Sequence, residues 1–575
     1  MKKTLLFTCS LVAAVLANAQ APTFKWAKKI GGTSQDVGSS IAVDGSGNVY
    51  TSGIFTGTVD FDPGTGTSNL TSAGNTDVFI SKLNASGNFV WAKKMGGSLA
   101  DGGKSVIDAS GNIYTAGRFM GTADFDPDPS ASYNLTSAGD SDIFVTKLNS
   151  SGNFVWAKSM GGTTADAPWN LTVDASGNVY TTGYFTGTAD FDPDVTATSN
   201  LTSAGGWDIF VSKLDASGNF VLARSMGGTS KDLGKYIAVD GSGNVYSTGF
   251  LKGTADFDPD PSVTYNLTSA GGSDTYISKL DASGNFVWAK RLGGNGANEA
   301  SQSFVLDESA NVYTIGGFQG TADFDPGTGT YNLTEAGGSD VFISKLDGSG
   351  NFVWAKRMGS SNYEWGYGIA LDGSGNVYTN GFFTGTTDFD PGTGTYNLTP
   401  TGEYDMFISK LSASGNFVWA QNFGGRSAQT EGYGITVDGY GNIYTTGKFS
   451  GTVDFDVSKS RATLTSASGS NDVFILKISQ ASGFMIASTD LNENSPTSTF
   501  SIYPNPNNGL FNVMVRNATN NSTIEIYNSI GTLVYKQEGK NELNSIDLTD
   551  KANGLYFVKV LGDNQIITSQ KIIKQ

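Results

Sequence analysis

The 575-residue chain has no histidine, and its single cysteine, Cys9, falls within an N-terminal leader. The first absence excludes Ser-His-Asp and Cys-His nucleophilic machinery, imidazole bases and most zinc sites. The second leaves the mature chain without a disulfide or a thiol. Any metal must be held by oxygen, which favours calcium. Bases are scarce as well: 36 Lys and Arg face 53 Asp and Glu, a net charge of −17, or −19 once Lys2 and Lys3 leave with the leader. That balance argues against nucleic acid, whose phosphates need a basic footprint. It suits a soluble exported protein that takes cations or neutral ligands. Helical periodicity is missing throughout, and no segment after the leader is long and apolar enough for a transmembrane helix. The leader itself reads as a signal peptide over residues 1–19. Lys2 and Lys3 precede the apolar run Leu5 to Leu16, and Ala17-Asn18-Ala19 is the cleavage site, so the mature chain begins at Gln20.

What the chain has in quantity is repetition. F-x-W-A-K recurs at Trp26, Trp91, Trp156, Trp288, Trp354 and Trp419, with Leu222 and Arg224 in place of Trp and Lys in the fourth copy and Gln421 in place of Lys in the last, at spacings of 65, 65, 66, 66, 66 and 65 residues. One unit contains four short runs rich in Val, Ile, Phe and Tyr. In the second these are Phe89 to Lys93, Ser105 to Asp108, Ile113 to Thr115 and Asp142 to Leu148. Turns of Asn, Asp, Ser and Gly separate them, and Asx-Gly turns supply the positive φ that tight hairpins need. Four antiparallel strands repeated seven times predict an all-β fold, a seven-bladed β-propeller over residues 20–488, because radial closure hides strand edges. The simplest closure joins Phe24 to Lys29 with Asp472 to Ile478 in one blade, while a degenerate copy, Phe484-Met485-Ile486-Ala487, competes for that edge.

Residues 43–53, V-D-G-S-G-N-V-Y-T-S-G, and residues 77–83, D-V-F-I-S-K-L, resemble the bacterial SBBP repeat, named for seven-bladed propellers. The resemblance covers about residues 24–488. It implies an architecture and carries no single activity.

After a polar linker at 489–499, residues 500–575 read as a small β-sandwich of about seven strands. Tyr503-Pro504-Asn505-Pro506, then Gly554-Leu555-Tyr556-Phe557-Val558-Lys559-Val560, then the basic tail Lys571-Ile572-Ile573-Lys574-Gln575 resemble the type A C-terminal sorting domain of type IX secretion. The resemblance implies export in two steps, the type IX machinery as a partner, and a product released or held at the cell surface.

Two acidic series recur. Asp-Phe-Asp lies in a long loop of every unit, and three copies carry a third acid: Asp124, Asp126 and Asp128; Asp190, Asp192 and Asp194; Asp256, Asp258 and Asp260. Alternating carboxylates can share a calcium ion. The competing reading has Phe packed between blades and each Asp capping a turn. The second series, Asp36, Asp101, Asp166, Asp232, Glu299, Glu364 and Glu431, precedes the strand expected to be innermost. It either rims the channel or spends itself on loop capping and on ion pairs with Lys28, Lys93, Lys158, Arg224, Lys290 and Lys356 of the W-A-K motif.

Scaffold duty does not explain residues that break the repeat. Trp169 enters the third unit, Tyr236 the fourth and Tyr433 the seventh, and Tyr363 and Trp365 flank Glu364 in the sixth. Aromatic platforms beside polar groups suit sugar rings. The leading expectation is therefore a non-enzymatic binding or adhesion module for polysaccharide or protein, in which Trp169, Tyr363 and Trp365 cluster. The alternatives are a glycosidase or lyase using carboxylates or Tyr on the loop face, and a structural surface component.

Overall fold

The first hairpin of each repeat is tied by one aspartate. Asp44 Oδ1 accepts the amides of Ser46 and Asn48, and its Oδ2 accepts Asn48 Nδ2 and, at 3.2 Å, the Tyr50 hydroxyl. Gly47, at φ +79°, supplies the left-handed residue of the turn. The tyrosine is fully buried in six further copies, Tyr114, Tyr180, Tyr246, Tyr313, Tyr378 and Tyr444. Tyr50 pairs across the sheet with Lys82, and Lys82 with Trp91. The Lys82 ammonium sits 4.7 Å over the Tyr50 ring, so the W-A-K tryptophan closes a row across its own blade and serves the scaffold.

The computed structural model describes residues 21–296, 300–458 and 460–480, and beyond these the seven strands between Thr499 and Lys574 with a few joining residues. The leader, Glu299, most of the linker, Phe484-Met485-Ile486-Ala487 and Pro504-Asn505-Pro506 lie outside them. The chain divides between Gly483 and Phe484 into two compact units. The first contains seven antiparallel four-stranded sheets, four of them extended to six strands. The innermost strands of blades one to seven are Val37–Val43, Gly102–Ile107, Ala167–Val173, Leu233–Val239, Ala300–Leu306, Glu364–Leu371 and Gln429–Val437. Each packs beside the next, and the seventh packs beside the first. Thr23–Ile30 pairs with Asp472–Ser479, so the first F-x-W-A-K copy completes the seventh blade, with Trp26 opposite Lys477 and against Tyr444.

The cores lie between blades. Tyr50, Val78, Ile80 and Met95 of blade one meet Ile113, Phe119, Phe125 and Phe144 of blade two. Phe125, the centre of an Asp-Phe-Asp copy, is fully buried, with its ring 4.7 Å from Phe144 and 5.4 Å from Phe119. The short hairpin around it, Thr122–Asp124 and Asn134–Thr136, pairs onto the outer strand of the preceding blade through Gly96 and Gly97. Successive blades are thus joined by a ladder as well as by packing.

In the C-terminal unit Thr499–Tyr503, Leu510–Arg516 and Leu543–Asp547 form one sheet. Leu533–Gly539, Ser522–Asn528, Gly554–Gly562 and Gln565–Lys574 form the other. Phe511, Val513 and Ile546 of the first meet Ile524, Ile526, Val558, Val560 and Ile572 of the second in a single core. Among the described residues there is no α-helix, and no helix long and apolar enough to cross a membrane.

Of the acids before the innermost strands, Asp36, Asp101, Asp166 and Asp232 are caps. Asp101 Oδ2 takes the Gly97 amide at 2.6 Å and Oδ1 the Met120 amide at 3.3 Å, and Asp36 takes Gly32 and Thr56 in the same way. Among the described residues the alternative ion pairs between these acids and the W-A-K bases do not form. Lys28, Lys93, Lys158, Arg224, Lys290 and Lys356 lie instead beside the glycine of the next blade's outer hairpin, because mid-strand side chains cannot reach a carboxylate held at the strand end. In four blades the base one residue further on pairs with a third acidic series on the third strands. Lys29 pairs with Asp472 (3.4 Å), Lys94 with Asp77 (3.5 Å), Arg357 with Asp340 (2.6 Å), and Arg291 with Asp274. Asp142 has no such base, and its buried Oδ1 has no hydrogen-bond partner. Burial raises Asp142 to about 6; burial and then repulsion from Asp142 raise Asp166 to about 7.

The folded chain therefore keeps protons that the unfolded chain releases between about pH 4 and 7, so stability falls as pH rises through that window. The melting temperature should rise by several degrees from pH 8 to pH 5. Asp142→Asn should raise it at pH 8 and leave it unchanged at pH 5; a flat profile in the parent chain would contradict the assignment. In urea unfolding Phe125→Ala should cost about 3–5 kcal/mol and Asp126→Ala about 0.5–1.5 kcal/mol, one turn hydrogen bond.

Candidate functional site

A β-bulge sets the inward side chain of most blades. The ladder between the first two strands skips one residue at Ser39, Trp169, Lys235, Gln302, Tyr367 and Tyr433. Blade two has no skip and presents Lys104. A bulge residue leaves the ladder and is re-aimed, a device common beside binding sites. Here Ser39, Lys104, Trp169, Gln302, Tyr367 and Tyr433 line one cavity of about 530 Å³ at the end of the channel where the innermost strands begin. In blade four Lys235 turns to Gln302 Oε1 (3.0 Å), and its neighbour Tyr236 takes the lining place. Lys104 Nζ reaches across the channel to Tyr236 Oη at 3.3 Å and stands 4.7 Å over that ring. Beneath this bridge a narrower space of about 300 Å³ continues between the strands, lined by Ser105, Asn170, Ser303 and Tyr433 among others.

The walls differ. On one side Arg118 and Tyr184 line the cavity, and Tyr184 stacks on Trp207 at 4.3 Å and 19°, with Lys231 4.3 Å over the Trp207 ring. Trp169 stands at the mouth with 41% of its surface exposed. On the other side Tyr367 meets Tyr433 edge to face at 4.9 Å. Behind them the Glu431 carboxylate accepts the hydroxyls of Tyr433 (2.7 Å) and Tyr404 (3.0 Å) and pairs with Lys448 (3.1 Å). Burial first, and then the Glu431 charge, push the Tyr367, Tyr404 and Tyr433 hydroxyls well above the usual phenol range.

Of the residues singled out by departure from the repeat, Trp169, Tyr236 and Tyr433 come together in the cavity. Tyr363 and Trp365 do not join them. They stack on each other at 5.9 Å and 4°, with Trp365 seated where Gly317 leaves room, so the expected cluster of Trp169, Tyr363 and Trp365 does not form. Glu364 is buried as a cap, its oxygens taken by Ser360 and Thr387, and so is withdrawn from the cavity. The acids of the Asp-Phe-Asp loops are engaged in turns. Asp124 Oδ1 accepts the amides of Asp126 and Tyr133, Asp126 that of Asp128, and Asp128 that of Ser130. The copies Asp190, Asp192, Asp194 and Asp256, Asp258, Asp260 do the same. Among the described residues no three acids gather as a metal site requires. Lys104, Arg118, Tyr184, Tyr367 and Lys448 were not singled out from sequence. For Lys104 and Tyr367 a signal was available, because their inner-strand position changes type along the chain where the scaffold positions do not; Arg118, Tyr184 and Lys448 lie on the second strands Ile113–Phe119, Val179–Phe185 and Asn442–Ser450.

Two family models match this chain. The β-propeller repeat model, SBBP, matches residues 25–53 and 418–448, and the secretion system C-terminal sorting domain matches residues 501–575. An uncharacterized WD repeat-containing protein, L264, of Acanthamoeba polyphaga mimivirus is 24% identical over 511 residues, 74% of this chain and 36% of that protein. The regulatory protein FlaEY of Caulobacter vibrioides is 24% identical over 266 residues, 45% of this chain and 27% of that protein. The chain thus spans about a third or less of the length of these curated relatives. Among solved structures, a fungal alcohol oxidase in complex with copper superposes with a TM-score of 0.38 at 12% identity, covering 97% of this chain and all of that one. A likeness that loose bears on neither chemistry nor ligand. The two family matches agree with the seven-sheet unit and with the separate sandwich. The chain therefore carries SBBP β-propeller repeats and a type IX C-terminal sorting domain, and is an exported propeller protein of the cell surface or its surroundings.

Proposed function

We propose that this propeller is a non-enzymatic binding module that takes a polysaccharide or a surface protein into the cavity at its channel mouth, while the C-terminal unit engages the secretion machinery. One observation carries the reading. The scaffold side chains repeat blade after blade, whereas the inward position reads Ser39, Lys104, Trp169, Lys235 with Tyr236, Gln302, Tyr367 and Tyr433. Packing demands alone would make these alike. A volume of about 530 Å³ and mixed aromatic and polar walls are usual for a ligand site.

Features that favour binding over turnover are chemical. Among the described residues lining the cavity none is acidic, and a glycosidase needs two carboxylates flanking the bond. A lyase using tyrosine needs a hydroxyl that ionises easily, and Tyr367 and Tyr433 are pushed the other way. A purely structural component would have no reason for an exposed tryptophan at the channel mouth.

Affinity electrophoresis of the full chain against neutral and acidic polysaccharides, with product analysis of every hit, tests the proposal. Retardation without products is expected. Trp169→Ala should weaken it tenfold or more, about 1.4 kcal/mol or greater, and Trp365→Ala should leave it unchanged. New reducing ends or unsaturated products would overturn the binding reading in favour of an enzyme.

A further inference from the structure

The whole chain is strongly acidic, yet its central cavity is not. Lys104, Arg118 and Lys448 line it, and Lys235 lies directly behind. Only Lys448 has a carboxylate within salt-bridge distance among the described residues, namely Glu431. Lys104 donates to a phenol oxygen and Lys235 to an amide oxygen, both neutral acceptors. In a chain with 53 acids and 36 bases, a patch chosen at random carries net negative charge. Three cations with no acid partner among the described residues, at the axis of a ring, are a different arrangement. It also costs stability: burial and the nearby Lys104 charge pull the Lys235 ammonium down to about 8, and like charges held together in a partly dry site repel. Such a cost is relieved when an anion joins them.

Resting on the binding reading above, we infer that the ligand is an anionic glycan, a polymer of uronate or sulfated sugars. Its carboxylate or sulfate groups would reach Lys104 and Arg118, and a sugar face would lie on Trp169. The net charge of the whole chain had suggested cations or neutral ligands; the local field at the axis reverses that expectation, because the scaffold carboxylates are turned into caps and junctions away from the cavity. The aromatic faces favour a glycan over an acidic peptide. Trp169 presents flat apolar surface beside the cations, which matches the alternating C–H face and charged edge of a uronate ring. The Lys104–Tyr236 bridge closes the floor, so the ligand enters from the mouth and lies across it.

The test compares dextran sulfate with dextran, and polygalacturonate as a carboxylate polymer, on the full chain. Retardation by the sulfate and by polygalacturonate, but not by dextran, is expected, weakening as salt is raised. Lys104→Met and Arg118→Gln should each lower affinity about tenfold. Lys290→Met, on an outer strand, should leave it unchanged, and melting curves would establish that the variants fold. Equal retardation by dextran would overturn the anion assignment while leaving the binding reading intact. Equal losses from Lys290→Met and Lys104→Met would place the effect outside the cavity and overturn it. Displacement by poly-glutamate at lower concentration than by polygalacturonate would replace the glycan with an acidic peptide. No retardation by any polymer would overturn the anionic-glycan assignment and leave the binding reading to a protein partner.

Discussion

Every blade depends on having a neighbour. The apolar side chains of one sheet are buried only against the next, as Tyr50, Val78, Ile80 and Met95 are against Phe119, Phe125 and Phe144, so no sheet has a core of its own. A row of such sheets leaves two unsatisfied faces unless its ends meet. They meet because Thr23–Ile30 supplies the outer strand of the seventh blade. That single antiparallel pairing completes the last Tyr-Lys-Trp row and removes an exposed sheet edge. The hairpin ladders and the capped Gly-Gly turns then fix the angle at which each blade meets the next, and the angle brings seven inner strands around one axis.

A repeat scaffold separates two kinds of sequence. Positions that hold blades together are the same in each copy, and the buried carboxylates of the junctions belong to this class. They are expensive groups to bury, and Asp36, Asp101, Asp166 and Asp232 each satisfy two backbone amides at a place where the chain turns sharply. Positions that face the axis are released from that duty. The bulge makes the release possible, since a residue outside the ladder can change size and charge without disturbing its neighbours.

Much of this was legible in the sequence. The strand count, the turns and the C-terminal sandwich follow from local periodicity and from where the copies begin and end, whereas the strand that closes the seventh blade was one of two the sequence left open. The burial of the Asp-Phe-Asp phenylalanines follows from their recurrence. The site was legible in part. Trp169, Tyr236 and Tyr433 stand out because they depart from the pattern, but so do Tyr363 and Trp365, and only the fold separates an axial departure from one that packs on Gly317. Tyr367 escaped notice because the bulge shifts the inward register by one residue; Lys104 faces inward from a blade without a bulge. Arg118 and Lys448 come from second strands, whose approach to the axis no linear spacing reveals. The most conspicuous residue of all, the W-A-K tryptophan, is scaffold, and the bases beside it find hairpin turns instead of the acids that precede the inner strands.

The shared seventh blade also sets a clock. Thr23 and Ser479, which bond to each other, are 456 positions apart, so the pairing cannot form until almost the entire repeat array is present. Six blades can assemble as soon as each neighbour arrives, but the first strand stays without its partner until the last repeat is complete, and contacts so distant in sequence are slow to find. The sorting domain follows that last repeat in the chain. A molecule whose export signal has been made is therefore one whose final blade can already close, and a truncated chain lacks both.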